Sequence, residues 1–184
     1  EVVICDGRDR LYRLTVEQEP PPRLRAAAEA NLLSPLATPL VLHHGLVVGA
    51  DAAGQLRAFE LANLSAQSAA SLGAAVAWGP AVASEHLLVA THAGELWCFG
   101  PDLNEPLWKR PLPHGPLAEG FLSQDQAVLL ATRSGTLYRV SLANGAVEQT
   151  VELRQPLAAG PLARHGQGLL VLAHDGALLL AGGL

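Results

Sequence analysis

The sequence has no methionine, only two cysteines and few aromatic residues. Aromatic side chains make up 4% of its 184 residues, so leucine, valine and alanine must fill the interior. Cys5 and Cys98 lie far apart and belong to no Cys-x-x-Cys motif. We interpret both as small apolar side chains, and a disulfide requires that the fold bring their strands together. Because the chain starts inside the apolar run Val2-Val3-Ile4, we expect a piece of a larger protein or a processed product.

Charged residues are also scarce, at 16% of the chain, and the formal net charge is −5. An acidic chain with scattered basic residues does not attract nucleic-acid phosphates, so we expect no nucleic-acid partner. Residues 61–84 carry no charge, but polar side chains and the internal Gly79-Pro80 pair make this stretch unsuitable for a membrane span. With 49% hydrophobic residues, the chain is nevertheless apolar enough for a sizeable core.

Motifs of catalysis are missing from the sequence. Ser123, Ser134 and Ser141 lie in no Gly-x-Ser-x-Gly pattern, and no glycine-rich loop precedes a helical segment. The sequence therefore predicts a protein that is not an enzyme, with no catalytic residue and no cofactor.

A repeat of about 41 residues organises the chain. Each copy has an apolar run, a short turn, and then Gly-x-Leu at the start of an alternating segment. The glycines stand at intervals of 40, 41 and 41 residues, and we call them the anchor glycines: Gly54, Gly94, Gly135 and Gly176. A second marker keeps the same period at Thr38-Pro39, Gly79-Pro80, Gly120-Phe121 and Gly160-Pro161. A fifth copy opens the chain, with Asp9 at the anchor position.

Each copy divides into four strands, which is the size of a propeller blade. A short first strand follows the second marker, and a first turn leads from it to an apolar second strand. A second turn, at the anchor glycine, leads to the third strand, and a weaker fourth strand ends the copy. Only residues 23–33 also suit a helix, and we leave that choice open. We predict an all-β propeller of four to five blades, three complete and two partial, with units of roughly 1–37, 38–78, 79–119, 120–159 and 160–184.

The repeat resembles that of the pyrroloquinoline-quinone-like (PQQ-like) propeller family. The clearest copy reads Gly135-Thr136-Leu137-Tyr138-Arg139-Val140, followed by Asn144-Gly145, and Leu107-Trp108-Lys109 looks like the family's tryptophan at the fourth strand. Some members are quinone- and calcium-dependent dehydrogenases with an adjacent pair of disulfide-bonded cysteines, which this sequence lacks. Others are non-catalytic, such as BamB-type outer-membrane assembly scaffolds and repeat domains of bacterial kinases.

The resemblance therefore implies a non-catalytic interaction or scaffold propeller within a larger bacterial protein, with the periplasm or cell envelope as the favoured location. Two alternatives stay open: a fragment of a PQQ-dependent oxidoreductase, and a sensor that binds a small ligand or a metal in its central channel. The partner is expected to be a protein. The two partial blades leave open sheet edges, which favour association with another copy or another chain.

Candidate interaction residues are turn residues larger than their turns require. On one face these are the residues near the anchor glycines, His92, Arg133 and His174, and on the opposite face those of the first turns, His43, His44, His86 and His165. The best possible metal site combines His43, His44 and His86 with Glu85 from neighbouring blades. Solvated turn residues are the simpler interpretation, so we assign no metal.

Overall fold

The computed structural model describes residues 1–18, 20–164 and 168–181, which form eighteen strands in five antiparallel sheets. Blade 1 contains β1 (Val2–Cys5), β2 (Arg10–Glu17) and β3 (Arg23–Asn31). Blade 2 contains β4 (Val41–His43), β5 (Leu46–Ala50), β6 (Leu56–Glu60) and β7 (Ala66–Gln67). Blade 3 contains β8 (Val76–Ala83), β9 (His86–Thr91), β10 (Glu95–Phe99) and β11 (Trp108–Pro111). Blade 4 contains β12 (Leu122–Gln124), β13 (Ala127–Ala131), β14 (Thr136–Ser141) and β15 (Val147–Glu152). Blade 5 contains β16 (Leu157–Arg164), β17 (Gly168–Ala173) and β18 (Leu178–Ala181).

Every sheet is a meander whose strands pair in chain order. Three of the sheets have four strands, while the first and last have three each, so the predicted all-β partial propeller is confirmed. The first strands of neighbouring blades lie side by side, as in the contacts of β4 with β8 and of β12 with β16. These first strands line the inside of the arc, and the fourth strands form its outside.

The cores lie between the blades because successive residues of a strand point to opposite faces of its sheet. In β9, Leu88 and Ala90 pack toward blade 4, while Leu87 and Val89 pack toward blade 2. Four aromatic residues occupy these interfaces, and all four are buried: Trp97, Phe99, Trp108 and Tyr138. Stacking thus removes from water the apolar faces that one blade alone exposes.

The alanine-rich segment that the sequence left undecided is a strand. Residues Arg23–Asn31 form β3 and pair with β2 along its whole length, from Glu17↔Arg23 to Arg10↔Asn31. Alanine favours a helix in isolation, but the free edge of β2 offers backbone hydrogen bonds that a two-turn helix cannot match. Glu17 adds ion pairs to Arg23 and Arg25 across the hairpin.

The first strands of blades 3 and 5 are longer than the short segments that the sequence indicated. Strands β8 and β16 extend on both sides of Gly79-Pro80 and Gly160-Pro161, and in each strand one register shift precedes the marker and a second spans it. The ladder can therefore continue across a proline, which has no N–H to donate, because a bulge takes it out of the pairing.

The uncharged stretch 61–84 carries β7 and β8. Within the described ranges, the chain contains no helix with the length and apolar character needed to cross a membrane. The two thiols are free: Cys5 of blade 1 is half-buried, and Cys98 of blade 3 is buried. Burial raises the pKa of the Cys98 thiol to about 12, which makes it a weak nucleophile.

Candidate functional site

Two sets of turns lie at opposite ends of the second strand of each blade. The first turns connect the first and second strands, as at His44-Gly45 between β4 and β5. The second turns connect the second and third strands and carry the anchor glycines. We call the two surfaces they form the first-turn face and the second-turn face.

In blades 1, 2 and 4, the second turn is capped by a side chain three residues before the anchor position. The Oδ1 atom of Asp51 accepts hydrogen bonds from the backbone N–H groups of Ala53 and Gln55, both with N···O distances of 3.0 Å. The Oγ1 atom of Thr132 accepts one from the N–H of Thr136 at 3.0 Å. Asp6 does the same with Arg8 and Arg10 in blade 1. Side chains of this kind fix a turn by replacing backbone partners.

Sequence reasoning missed this capping position, although the signal was present. Asp6, Asp51, Thr91 and Thr132 stand three residues before the anchor position of their copies, where blade 5 has Ala173. The Thr91 hydroxyl is buried without a hydrogen-bond partner in the described chain, so the sequence pattern extends to one turn that the side chain does not cap. In blade 2 the cap is also a link to the preceding segment, because Asp51 Oδ2 accepts from Ser34 at 2.7 Å and from Arg57 at 2.8 Å. Burial alone would raise the pKa of Asp51, but the hydrogen bonds from Ser34, Gln55 and Arg57 outweigh it and lower this pKa.

In blades 3, 4 and 5, the residue two positions before the anchor glycine has a hydrogen-bonded backbone N–H group and an exposed side chain. The backbone N–H groups of His92, Arg133 and His174 donate to the carbonyls of Ala75, Pro116 and Pro156, with N···O distances of 2.9, 3.0 and 3.0 Å. All three donors are exposed residues. The structure thus places these three predicted residues at equivalent points of neighbouring blades, on backbones held by the segment that enters each blade.

His43 does not have the role that the sequence suggested. It is the last residue of β4 rather than a turn residue, and its side chain is 2% exposed. Its Nε2 atom lies 2.8 Å from the carbonyl oxygen of Gly100 and donates to it, which connects blade 2 to the segment after β10. A buried, hydrogen-bonded imidazole holds two blades together and is not available to a partner.

Two further first-turn histidines, His44 and His86, lie at the junction of blades 2 and 3. His44 Nε2 lies 3.1 Å from the Glu85 carbonyl oxygen and 3.2 Å from its carboxylate. The Nδ1 atom of His86 is buried without a hydrogen-bond partner in the described chain. Although these residues are neighbours, the described residues include no group of three or more His, Cys, Asp or Glu placed to hold a metal ion. His165 lies outside the described residues.

The burial of His43 predicts a pH-dependent stability. Burial, the largest influence, lowers the pKa of His43 below its usual 6.5; the Gly100 carbonyl acts in the opposite direction, while His44 and His86 lower the pKa further. The unfolded chain then binds this proton more readily than the folded chain. The contribution of His43 to the free energy of unfolding is therefore fully present above pH 6.5 and is lost as the pH falls below 6.5 toward the folded-state pKa.

We expect urea unfolding to show a smaller loss of stability between pH 7.5 and 5.5 for His43→Gln than for the unsubstituted chain. The control is His92→Gln, which replaces an exposed histidine and should keep the original pH dependence. Identical pH dependences for His43→Gln and the unsubstituted chain would contradict this assignment.

A pocket of about 350 Å³ opens on the inner side of the arc. It is formed where three first strands approach one another, and the second marker of each of three blades lines it: Thr38-Pro39, Gly79-Pro80 and Gly120-Phe121. Trp78 and Phe121 meet edge to face in its wall, with ring centroids 5.8 Å apart. Glu119 is the charged residue of the lining, and it makes no ion pair within the part of the chain described.

Comparison with known families gives one decisive match. Residues 52–182, more than half of the chain, match the family model described as outer membrane protein assembly factor BamB. The chain belongs to this family. A search of curated proteins found no match.

Solved structures agree on the fold. BamB from Moraxella catarrhalis superimposes with a TM-score of 0.76 at 12% identity, over 96% of this chain and 56% of that one. A structure of BBS1N in complex with ARL6DN has a TM-score of 0.71 at 17% identity, over 96% and 54%. The computationally designed Ika4 protein has a TM-score of 0.64 at 11% identity, over 77% and 88%. The chain therefore spans about half the length of the BamB structure it matches.

Proposed function

We propose that this chain is a non-catalytic interaction propeller of a larger bacterial protein and that it binds a protein partner on its second-turn face. The observation that carries the proposal is the arrangement of His92, Arg133 and His174. Their backbones are held at equivalent points of three neighbouring blades while their side chains remain exposed. A rigid scaffold that displays variable side chains is a general solution for recognition.

The charge of these side chains suggests the chemistry of the partner. Arg133 is positive, and the imidazole N–H groups of His92 and His174 can donate hydrogen bonds, whereas the chain as a whole has a formal net charge of −5. One positive charge flanked by two hydrogen-bond donors favours a partner segment that carries carboxylates. The family description, outer membrane protein assembly factor, supports a location in the bacterial periplasm or cell envelope.

The test compares the two faces. The immobilised chain is offered an extract of bacterial envelope proteins, captured proteins are quantified by mass spectrometry, and the affinity of each is then measured after purification. We expect the triple variant His92→Ala, Arg133→Ala, His174→Ala to bind the partner with an affinity at least tenfold lower, which corresponds to about 1.4 kcal/mol of binding free energy. The matched control is His44→Ala on the first-turn face. A partner that binds the triple variant as tightly as the original chain would refute this site.

A second candidate function is the binding of a small ligand in the pocket on the inner side of the arc. The carboxylate of Glu119 makes no ion pair with the residues that the structure describes, and together with Phe121 it favours a ligand with both a cationic and an apolar part. The test measures the melting temperature of the original chain and of Glu119→Gln with an added organic cation that carries an aromatic ring, and separately with zinc or a sugar. The PQQ-dependent oxidoreductase alternative is tested by dye reduction after adding quinone and calcium, and no signal is expected without the adjacent cysteine pair.

A further inference from the structure

Most arginine side chains that the structure describes are already paired within the chain. Six of them form ion pairs with aspartate or glutamate, and Arg110 donates to a backbone carbonyl. Arg8, Arg133 and Arg154 are exposed, and their side chains make neither an ion pair nor a hydrogen bond with any described residue. Two of these three arginines belong to the same junction, the one between blades 4 and 5.

Arg154 lies in the segment that connects β15 to β16, against the second turn of blade 4. The backbone N–H of Leu153 donates to the carbonyl of Gly135 at 2.8 Å, and the N–H of Leu157 donates to the carbonyl of Arg133 at 3.1 Å. Arg154 is therefore held between two hydrogen bonds to the turn that carries Arg133, on the second-turn face.

The second turn of blade 5 approaches the same connecting segment. The backbone N–H of His174 donates to the carbonyl of Pro156 at 3.0 Å, and Gln155 Nε2 donates to the carboxylate of Asp175 at 2.9 Å. Two turns and one connecting segment thus meet at one place on the second-turn face. We call the exposed side chains that they contribute the junction cluster: Arg133, Arg154 and His174.

Arg154 has a backbone conformation that favours glycine. Its φ angle is 56°, and the equivalent position between blades 2 and 3 is Gly73, with a φ angle of 73°. The two positions are equivalent because Leu72 and Leu153, which precede them, donate to the carbonyls of anchor glycines in the same way. The counterpart between blades 1 and 2 is Leu33, which is 91% exposed, so a side chain at this position extends into solvent. Glycine would suit the backbone of residue 154 better, and no contact within the described chain explains an arginine there.

Two carboxylates lie near the junction cluster, and both are engaged by other groups. Both carboxylate oxygens of Glu152 lie 3.1 Å from the hydroxyl oxygen of Thr136, which donates to this carboxylate. Asp175 accepts the hydrogen bond from Gln155. Neither carboxylate forms an ion pair within the described chain. The two guanidinium groups of the cluster therefore keep their N–H donors for an acceptor outside the described chain.

We propose that the junction cluster binds an acidic peptide segment of the protein partner, whose aspartate or glutamate carboxylates are held by Arg133 and Arg154, with His174 as a further donor. A guanidinium group presents paired N–H donors that match the two oxygens of a carboxylate. The cluster is spread over three chain segments on an exposed surface, which suits an extended peptide with successive carboxylates. This inference rests on the proposed function, because it names the part of the second-turn face that the acidic residues of the partner contact. It also adds Arg154, which the repeat phase did not single out.

The first test titrates the isotope-labelled chain with an acetylated hexaglutamate peptide and follows the backbone amides by nuclear magnetic resonance. We expect shift changes centred on the junction cluster that diminish when salt is added, and none with a hexaglutamine peptide. Arg154→Gly should lower the affinity for the peptide about fivefold or more, while its melting temperature stays equal to that of the unsubstituted chain or rises. A purely structural role for Arg154 would instead lower the melting temperature.

The matched control is Arg8→Ala, which removes an exposed and unpaired arginine from the second turn of blade 1 and should leave the affinity unchanged. Arg154→Lys keeps the charge without the paired donors, so its affinity should fall between those of the unsubstituted chain and Arg154→Gly. Shift changes that spread equally to Arg8, or an affinity that Arg154→Gly leaves unchanged, would overturn the proposal. Displacement of the peptide by an equal concentration of inorganic phosphate would also overturn it, in favour of a phosphate site.

The captured partner separates this inference from the proposed function. A partner that binds less tightly to the triple variant but equally well to Arg154→Gly would refute the junction cluster and leave the proposed function intact. A partner that ignores the triple variant, while the hexaglutamate peptide still requires Arg154, would refute the proposed function and leave the acidic-peptide site.

Discussion

Replacing Trp108 by alanine should lower the free energy of unfolding by about 3–5 kcal/mol, the usual cost of removing a buried aromatic side chain. Trp108 lies at the start of β11 and is 6% exposed. Its Nε1–H donates to the carbonyl of Leu142 at 2.7 Å, so it fastens the outer strand of blade 3 to blade 4. Truncation leaves a cavity and an unpaired buried carbonyl at the same junction.

The matched variant Trp108→Phe separates the two contributions. It retains most of the packing but leaves the Leu142 carbonyl without its donor, which should cost about 1–3 kcal/mol. Urea unfolding followed by circular dichroism measures both variants. If Trp108→Ala were no more destabilising than Trp108→Phe, packing at this junction would not contribute as described.

Replacing Gly54 by alanine should destabilise the chain far more than replacing Gly94, although both are anchor glycines. Their φ angles are alike, at 79° and 77°, and this left-handed conformation costs any other residue about 1–2 kcal/mol. A Cβ at Gly94 meets nothing within 4 Å, whereas a Cβ at Gly54 would lie 2.0 Å from the carbonyl oxygen of Ala74. That oxygen belongs to the segment leading into blade 3, so only a backbone shift can relieve the clash. We expect Gly54→Ala to cost about 4 kcal/mol or more, the range of severe substitutions.

The same contrast recurs in the later blades and gives an internal replicate. A Cβ at Gly135 would lie 2.4 Å from the carbonyl oxygen of Gln155, while one at Gly176 would meet nothing within 4 Å. The four alanine variants should therefore fall into two pairs when their free energies of unfolding are measured. Four equal losses would mean that the φ angle alone sets the cost.

Much of the fold could be predicted because its determinants are local and repeated. The anchor glycines, the apolar second strands and the Asn144-Gly145 turn each depend on a few neighbouring residues, and their period of about 41 residues reveals the blades. The segment that became β3 was left open because alanine-rich sequence is locally helical, and only the edge of β2 makes it a strand.

The candidate site was predicted only in part. The position of a residue in the repeat can place it in a turn, but it does not say whether the side chain points to solvent or into a blade junction. His92, Arg133 and His174 are exposed at equivalent points, as their phase suggests. His43 shows the opposite outcome, because the carbonyl of Gly100 that receives its hydrogen bond is 57 residues away in the chain.

The sequence by itself determined the blade as the unit and its membership of a family of propellers, because strand periodicity and turn chemistry are encoded within each repeat. Only the tertiary structure decided which residues of equal appearance differ in role. It separated the crowded Gly54 from the open Gly94, the buried Val89 from the exposed Ile4, and the buried His43 from the turn residues on the surface. The physical reason is that each of these properties depends on the neighbouring blade, and position in the repeat does not say whether or how that neighbour approaches.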